Sequence, residues 1–311
     1  MRVLVIAHGH PDIYPGGSEI VARALAQALR GLPGTDSRFL VVLPGAEEVH
    51  GGTGFSSYDG DPNEPLFTAG GFDEFSLGQQ SIAHLTHPFA AFLEAYRPDV
   101  VHFQHIINIG VEALRVVHTV LPRAIIVYTL HEFTPICNHQ GKMLRTDGSL
   151  CDKAGPRRCN GCFPQTAPRE FFLRERYLKA HFEVVDGFIG PSRFLLSRYA
   201  EWGLDERKLR FIENGHPLAA CSRDAVAAHA NHVPSFAFFG QINPFKGIFV
   251  LLDAIEILLN RGVSRFHVRV HGTVLRQSDA FKQQYDDAVQ RIRSRPADGG
   301  QLWILGPYGL S

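Results

Sequence analysis

The chain has 311 residues, 45% of them hydrophobic and 20% charged, enough apolar material for two ordinary domains of about 100 to 200 residues each. Its 31 Lys and Arg balance 31 Asp and Glu, so no global field draws it to nucleic acid or anionic lipid, and only a local basic patch could do so. No apolar run approaches the roughly 18 residues of a membrane span.

Residues 2–7, Arg-Val-Leu-Val-Ile-Ala, run into a Gly/Pro turn with no small-residue cleavage site. They read as a buried first strand rather than a signal peptide, in a cytoplasmic protein. From Ser18 to Leu29 the apolar residues Ile20, Val21, Ala24, Leu25, Ala28 and Leu29 recur at helical spacing. Ser18 is the expected cap, and Gly31 with Pro33 ends the run. A second strand covers 38–43. Residues 45–75 are rich in Gly, Ser, Asp and Pro without a sustained period and read as a long surface loop. A helix is predicted over 81–96, strands at 100–103, 125–130 and 187–190, and helices around 110–120 and 171–185. This alternation is the signature of a parallel sheet wrapped by helices, the α/β class.

Near Asn214 the order restarts. Residues 216–234 read as a polar, Ala/His-rich linker. Strands follow at 236–240, 267–272 and 302–306, with helices at 248–259 and 279–293. The expected organisation is an N-terminal Rossmann-like domain at 1–215 with a cysteine-rich insertion at 137–162, the linker, and a partial Rossmann-like domain at 235–311. In a doubly wound sheet, strands of the second half pair against strand one. With three strands only, the apolar 236–240 strand is an open edge, a liability that a protein partner or self-association would cover.

Three strand-to-helix loops carry chemistry. Pro15-Gly16-Gly17-Ser18-Glu19 lets backbone amides approach a ligand at a helix N-terminus, which favours phosphate; the plainer reading is a glycine turn. His131-Glu132-Phe133 follows the 125–130 strand, outside whose carboxyl end ligands of open α/β sheets sit. There a histidine can bond a sugar hydroxyl or an oxyanion. His8, His10 and His105 also lie near strand ends and are weaker candidates. In Phe239-Gly240-Gln241-Ile242-Asn243-Pro244-Phe245-Lys246-Gly247, a lysine near a helix start can hold a diphosphate, though the Walker A spacing is absent.

Together these segments resemble the family 4 glycosyltransferases, retaining, nucleotide-sugar-dependent enzymes of the two-domain GT-B fold. The likeness runs through Pro15–Glu19 with Ala24–Leu29, Val127-Tyr128-Thr129-Leu130-His131-Glu132, Gly190-Pro191-Ser192, Ile212-Glu213-Asn214-Gly215-His216-Pro217, and Phe238–Gly247 with Leu251-Leu252-Asp253-Ala254. The resemblance implies that Gly16 and Gly17 approach the donor diphosphate and acceptor, that His131 contacts the transferring sugar, and that Lys246 stabilises the leaving diphosphate. It also assigns Glu19, Asn214, Gly240, Gln241 and Gly247 to substrate binding. The implied reaction is transfer of a sugar from a nucleoside diphosphate sugar to a saccharide or lipid-linked acceptor, with retention and without a catalytic metal, as in polysaccharide biosynthesis. Two departures bear on activity. Gln241 stands where the family usually has arginine, and no segment matches the family's paired glutamates. The second domain is thus expected to be incomplete, and the competing functional reading is a truncated, inactive binding subunit. Nucleotide-sugar epimerases of the same fold are a third.

Four of the five cysteines, Cys137, Cys151, Cys159 and Cys162, fall within 26 residues. Cys159-Asn160-Gly161-Cys162 reads as a knuckle that turns two thiolates to one ion, and four thiolates make a closed structural zinc site. Free thiols, a disulfide and an iron–sulfur cluster compete with it, and His139 could replace one thiolate. Some family members carry a similar insertion. After it, the basic and aromatic 169–179 stretch is either a packed helix with a solvated face or a contact with the inner membrane surface.

Overall fold

The structure, a computed structural model, describes residues 1–14, 16–45, 54–215, 233–275, 277–295 and 301–307. The chain divides into two compact units, Met1–Leu218 and Ala219–Ser311. Most of the expected linker, with Cys221, and Pro15 of the first loop lie outside the described residues.

The N-terminal unit is built on an eight-stranded sheet in the order β10-β9-β8-β7-β1-β2-β4-β3. Its strands are β1 (Arg2–Ala7), β2 (Asp36–Leu43), β3 (Phe55–Ser57), β4 (Pro65–Thr68), β7 (Val100–Phe103), β8 (Ile125–Thr129), β9 (Gly187–Gly190) and β10 (Leu209–Phe211). A separate hairpin joins β5 (Phe72–Asp73) to β6 (Gly78–Gln79). All pairings in the large sheet are parallel except β3 with β4. The 45–75 surface loop is therefore corrected: β4 pairs with β2 through Val41–Leu66, Val42–Phe67 and Leu43–Thr68. A four-residue strand bounded by turns has too few alternations to declare itself, and Phe67 becomes fully buried only by docking on β2.

Both faces of this sheet are covered, as parallel strands require. Val3, Val5 and Ala7 pack with Ala22 and Ala26 of α1 (Gly17–Arg30) on one face. Leu4 and Ile6 point the other way, into the larger core. That core takes Leu93 of α2 (Ala90–Tyr96), Leu114 and Val117 of α3 (Glu112–Val120), Leu178 and Phe182 of α5 (Pro168–Phe182), and Tyr199 of α6 (Arg193–Trp202). The connection from β1 to β2 runs one way along the sheet and that from β7 to β8 the other. Right-handed crossovers then put α1 and α3 on opposite faces. Two helix details differ from expectation. Gly16, extended at φ −136°, is the N-cap of α1, and Ser18 lies within its first turn. The 81–96 helix contains a π turn at Leu85–Phe89, where Pro88 has no N–H to give.

The C-terminal unit has a parallel sheet in the order β11-β12-β13. It comprises β11 (Ser235–Phe239), β12 (His267–His271) and β13 (Gln301–Gly306), with α7 (Ile248–Asn260) and α8 (Asp279–Arg293). Two successive crossovers in one direction place both helices on one face. There Ile248, Leu252, Val268, Val270, Phe281, Tyr285 and Val289 form the core. Among the described residues β11 pairs only with β12, so the expected open edge is present, with Phe236 54% exposed. No helix among the described residues is long and apolar enough to cross a membrane.

Candidate functional site

Because β1 is flanked by β2 and β7, reached by connections of opposite direction, the carboxyl ends of β1 and β7 open a crevice at a topological switch point. The loops after β1, β7 and β8 meet there and bring ionisable side chains into one array. His8 Nε2 is 2.9 Å from Glu19 Oε1. The His8 and His105 rings lie 4.4 Å apart, and His105 Nε2 is 3.0 Å from Glu132 Oε1. His105 Nδ1 accepts from the backbone N–H groups of Ile106 and Ile107. The proton of His105 is therefore on Nε2, where Glu132 accepts it. The other nitrogen of His8, Nδ1, is buried without a hydrogen-bond partner among the described residues.

His131 stands beside this array. Its Nε2 is 2.8 Å from Gln104 Oε1, while Gln104 Nε2 faces His102 Nε2 at 3.2 Å and Thr129 Oγ1 faces the same nitrogen at 2.7 Å. In this orientation the Gln104 carbonyl accepts, so His131 carries its proton on Nε2 and keeps a lone pair on Nδ1. Burial above all, with the neighbouring His105 acting in the same direction, brings the His131 pKa down to about 4. Burial likewise brings His102 to about 4. Both imidazoles are neutral at pH 7. Burial also lowers His105, against the opposing pull of Glu132. For Glu19 burial pushes upward, but the hydrogen bond and charge of His8 outweigh it and the net shift is down.

Glu19 explains one of the two glycines. A methyl group on Gly16 would lie 2.2 Å from Glu19 Oε2, whereas one on Gly17 would meet nothing within 4 Å. The buried Glu19 carboxylate also accepts from Ser18 Oγ at 2.9 Å. The positive end of α1 thus already carries an anion. Asn214, by contrast, lies in exposed coil after β10.

In the C-terminal unit the strand ends converge on glycines. Gly240 N–H donates to His271 O, and Gly272 N–H to Gly306 O. A side chain on Gly272 would collide with Gly240 O at 1.9 Å. Asn243 caps the following 3-10 turn, accepting at Oδ1 from the N–H groups of Phe245 and Lys246. Gly247, left-handed at φ 79°, then redirects the chain into α7. Gln241 and Lys246 are exposed, and no carboxylate among the described residues pairs with Lys246.

The cysteine insertion corrects the knuckle reading. Cys159 and Cys162 lie three residues apart within α4 (Pro156–Cys162), and Gly161 has no left-handed backbone. Helical spacing, not a glycine turn, turns the two thiols to one side. Cys137, Cys151, Cys159, Cys162 and His139 line one hollow, and the four cysteines are free thiols. As placed, no three His, Cys, Asp or Glu among the described residues are arranged to hold a metal ion.

Of the residues singled out in the sequence, the structure brings Glu19, His8 and His105 into one array with Glu132 and sets His131 beside it. Sequence reasoning missed Gln104, His102 and Thr129. The available signal was position: Gln104 and His105 directly follow a strand, as His131 does.

The profile of Glycosyltransferase Family 4 matches residues 15–219. No curated protein matches the chain. Among solved structures, HepE of Anabaena in complex with UDP-glucose is similar at 17% identity and a TM-score of 0.54, covering 99% of this chain and 70% of that one. The lipopolysaccharide outer core galactosyltransferase WaaB is similar at 11% identity and 0.52, covering 99% and 68%. An α,α-trehalose-phosphate synthase of Burkholderia xenovorans is similar at 10% identity and 0.53, covering 99% and 75%. These are likenesses of fold, and the fold is that of the two-domain GT-B enzymes.

Proposed function

This chain belongs to glycosyltransferase family 4, and from that premise we propose that it moves a sugar from a nucleoside diphosphate donor to a hydroxyl of a saccharide or lipid-linked acceptor, with retention. The observation that supports this reading is the Glu19–His8–His105–Glu132 array beside a neutral His131. Carboxylate oxygens and the free His131 Nδ1 accept hydrogen bonds, and hydroxyl groups supply them. Because Glu19 occupies the positive end of α1, the N-terminal crevice suits a neutral, hydroxyl-rich group better than a phosphate. The donor diphosphate is assigned to the Gly240–Gly247 loop, where Lys246 supplies charge and Gly247 and Ile248 open a helix N-terminus. As the C1–O bond to the diphosphate breaks, the acceptor oxygen bonds C1 on the same face. The acceptor proton passes to the departing phosphate oxygen, and Lys246 offsets the charge that develops there.

Calorimetry with UDP and UDP-glucose tests this first, since HepE carries UDP-glucose. Binding is expected, weakened about 10- to 100-fold in Lys246→Ala, the scale of one lost charge-assisted contact. A folded chain that binds neither these nor the other common nucleoside diphosphates would sink the proposal. Binding without transfer or donor hydrolysis would support the inactive binding subunit instead.

The same reading includes a structural zinc on Cys137, Cys151, Cys159 and Cys162. Four soft donors share one hollow, two of them on one helix face, and this donor set suits zinc once the thiols draw inward. Bound there, the ion would order the insertion; no step of sugar transfer involves it. Metal analysis of the purified protein is expected to give one zinc per chain. Protein without metal whose 137–162 amides are as protected from exchange as after zinc addition would rule the ion out as a source of order.

A further inference from the structure

We propose that Thr129, His102 and Gln104 are positioning residues that hold His131 in one tautomer, with Nδ1 bare, and so select a donor sugar that presents a hydroxyl to that nitrogen. The selection rests on the sugar-transfer reading above; the tautomer does not. Two short patterns carry the arrangement, His102-Phe103-Gln104 at the end of β7 and Thr129-Leu130-His131 at the end of β8. Side chains alternate between the two faces along a strand. Phe103, Tyr128 and Leu130 enter the larger core, so His102, Gln104, Thr129 and His131 leave the opposite face. The parallel register sets His102 beside Val127 and Phe103 beside Tyr128, which brings the two patterns side by side. Gln104, Thr129 and His102 are 2%, 4% and 9% exposed, so their polar atoms must satisfy one another.

The directions of these bonds follow from one hydroxyl. Thr129 Oγ1 lies 2.7 Å from His102 Nε2 and has no other hydrogen-bond partner among the described residues. Its proton therefore goes to that nitrogen, which makes His102 Nε2 an acceptor and puts the ring proton on Nδ1. Gln104 Nε2 shares the same lone pair at 3.2 Å. With its amide nitrogen turned to His102, Gln104 has its carbonyl 2.8 Å from His131 Nε2, which donates to it. Turning the amide over would require a proton on His102 Nε2 and would strand the Thr129 hydroxyl proton in the interior. The tautomer of His131 is thus set by a threonine acting across two intervening side chains. His131 Nδ1 has no partner among the described residues, and a bare ring nitrogen only accepts. A sugar hydroxyl supplies the proton it takes; a keto or deoxy carbon in the same place has none.

The test uses the full chain, isotope-labelled at the histidine ring nitrogens. Proton–nitrogen correlation spectra near neutral pH show which ring nitrogen carries the proton, and the two rings are assigned by the signals lost in His131→Gln and His102→Gln. The parent is expected to carry the His131 proton on Nε2 and the His102 proton on Nδ1. Thr129→Val keeps the shape and removes the hydroxyl, so the Gln104 amide is free to turn. A second His131 form with its proton on Nδ1 is then expected, and Thr129→Ser is expected to show none. By calorimetry, the affinity for UDP-glucose relative to UDP is expected to fall about 2- to 10-fold in Thr129→Val, the scale of one neutral hydrogen bond, with UDP itself bound as in the parent. A His131 proton on Nδ1 in the parent, or a Thr129→Val spectrum like the parent's, overturns the relay. If Thr129→Val does not fold, Gln104→Met decides: a single form protonated on Nε2 overturns the relay. An unchanged affinity ratio overturns the selection alone. A folded parent that binds neither nucleotide overturns the sugar-transfer reading, and the spectra still decide the tautomer.

Discussion

At residues 16 and 17 two adjacent glycines stand in different surroundings, so their alanine variants separate structure from ligand binding. Gly16→Ala must displace the Glu19 carboxylate from His8 and Ser18. Urea unfolding is expected to show a loss of about 1 to 3 kcal/mol, the scale of a disrupted buried polar group. Gly17→Ala meets open space at the start of α1 and is expected to keep or gain up to about 1 kcal/mol, while weakening any ligand that approaches its amide. Equal stability losses in the two variants would contradict this assignment. The histidines give a pH dependence whose sign is fixed. His102 and His131 fall from 6.5 to about 4 in the folded chain, so between those values the unfolded chain binds more protons and stability rises with pH. Their contribution is complete above about pH 6.5 and is lost as pH falls toward 4; lowered Glu19 and Glu64 act in the same direction below the ordinary carboxylate value of 4.5. The urea midpoint is expected to drop steadily from pH 7 to 5, and to drop less in His102→Gln. A flat midpoint across that range would refute the neutral-imidazole assignment.

At the scale of elements, β4 and α5 make separate claims. The strand that the sequence concealed is held by Phe67, fully buried and stacked against Phe55 and Phe89 at 4.6 and 5.8 Å. Phe67→Ala is expected to cost about 3 to 5 kcal/mol; a cost below 1 kcal/mol would show that this edge of the sheet contributes little. Helix α5 buries Phe171, Arg174, Leu178 and Phe182 and leaves Arg169, Glu170, Phe172, Leu173 and Arg176 exposed. On the proposed reading with a lipid-linked acceptor, Phe172 and Leu173 are the residues of this helix that would meet an anionic bilayer. Co-sedimentation with phosphatidylglycerol vesicles is expected to fall when Phe172 and Leu173 are both changed to serine. Sedimentation that does not depend on these two residues would leave them an ordinary solvated part of the helix.

For the whole molecule, the exposed edge at β11 is the feature with the most consequence. Its backbone groups on one side have no partner strand among the described residues, and Phe236 adds apolar surface. Ala237→Lys, on that strand, is expected to reduce concentration-dependent light scattering with little effect on unfolding; unchanged scattering would locate any self-association elsewhere. Much of this architecture was legible beforehand. The α/β class, the strand–helix order, and the loops bearing Glu19, His131 and Lys246 follow from apolar period and glycine placement, which are properties of neighbouring residues. What neighbouring residues cannot encode is which loops meet. His8, His105 and Glu132 lie far apart along the chain and are joined by parallel pairing of β1 with β7 and β7 with β8. The neutral state of His131 and its tautomer, set through Gln104, depend on solvent exclusion by those same long-range pairings, and only the folded chain determined them.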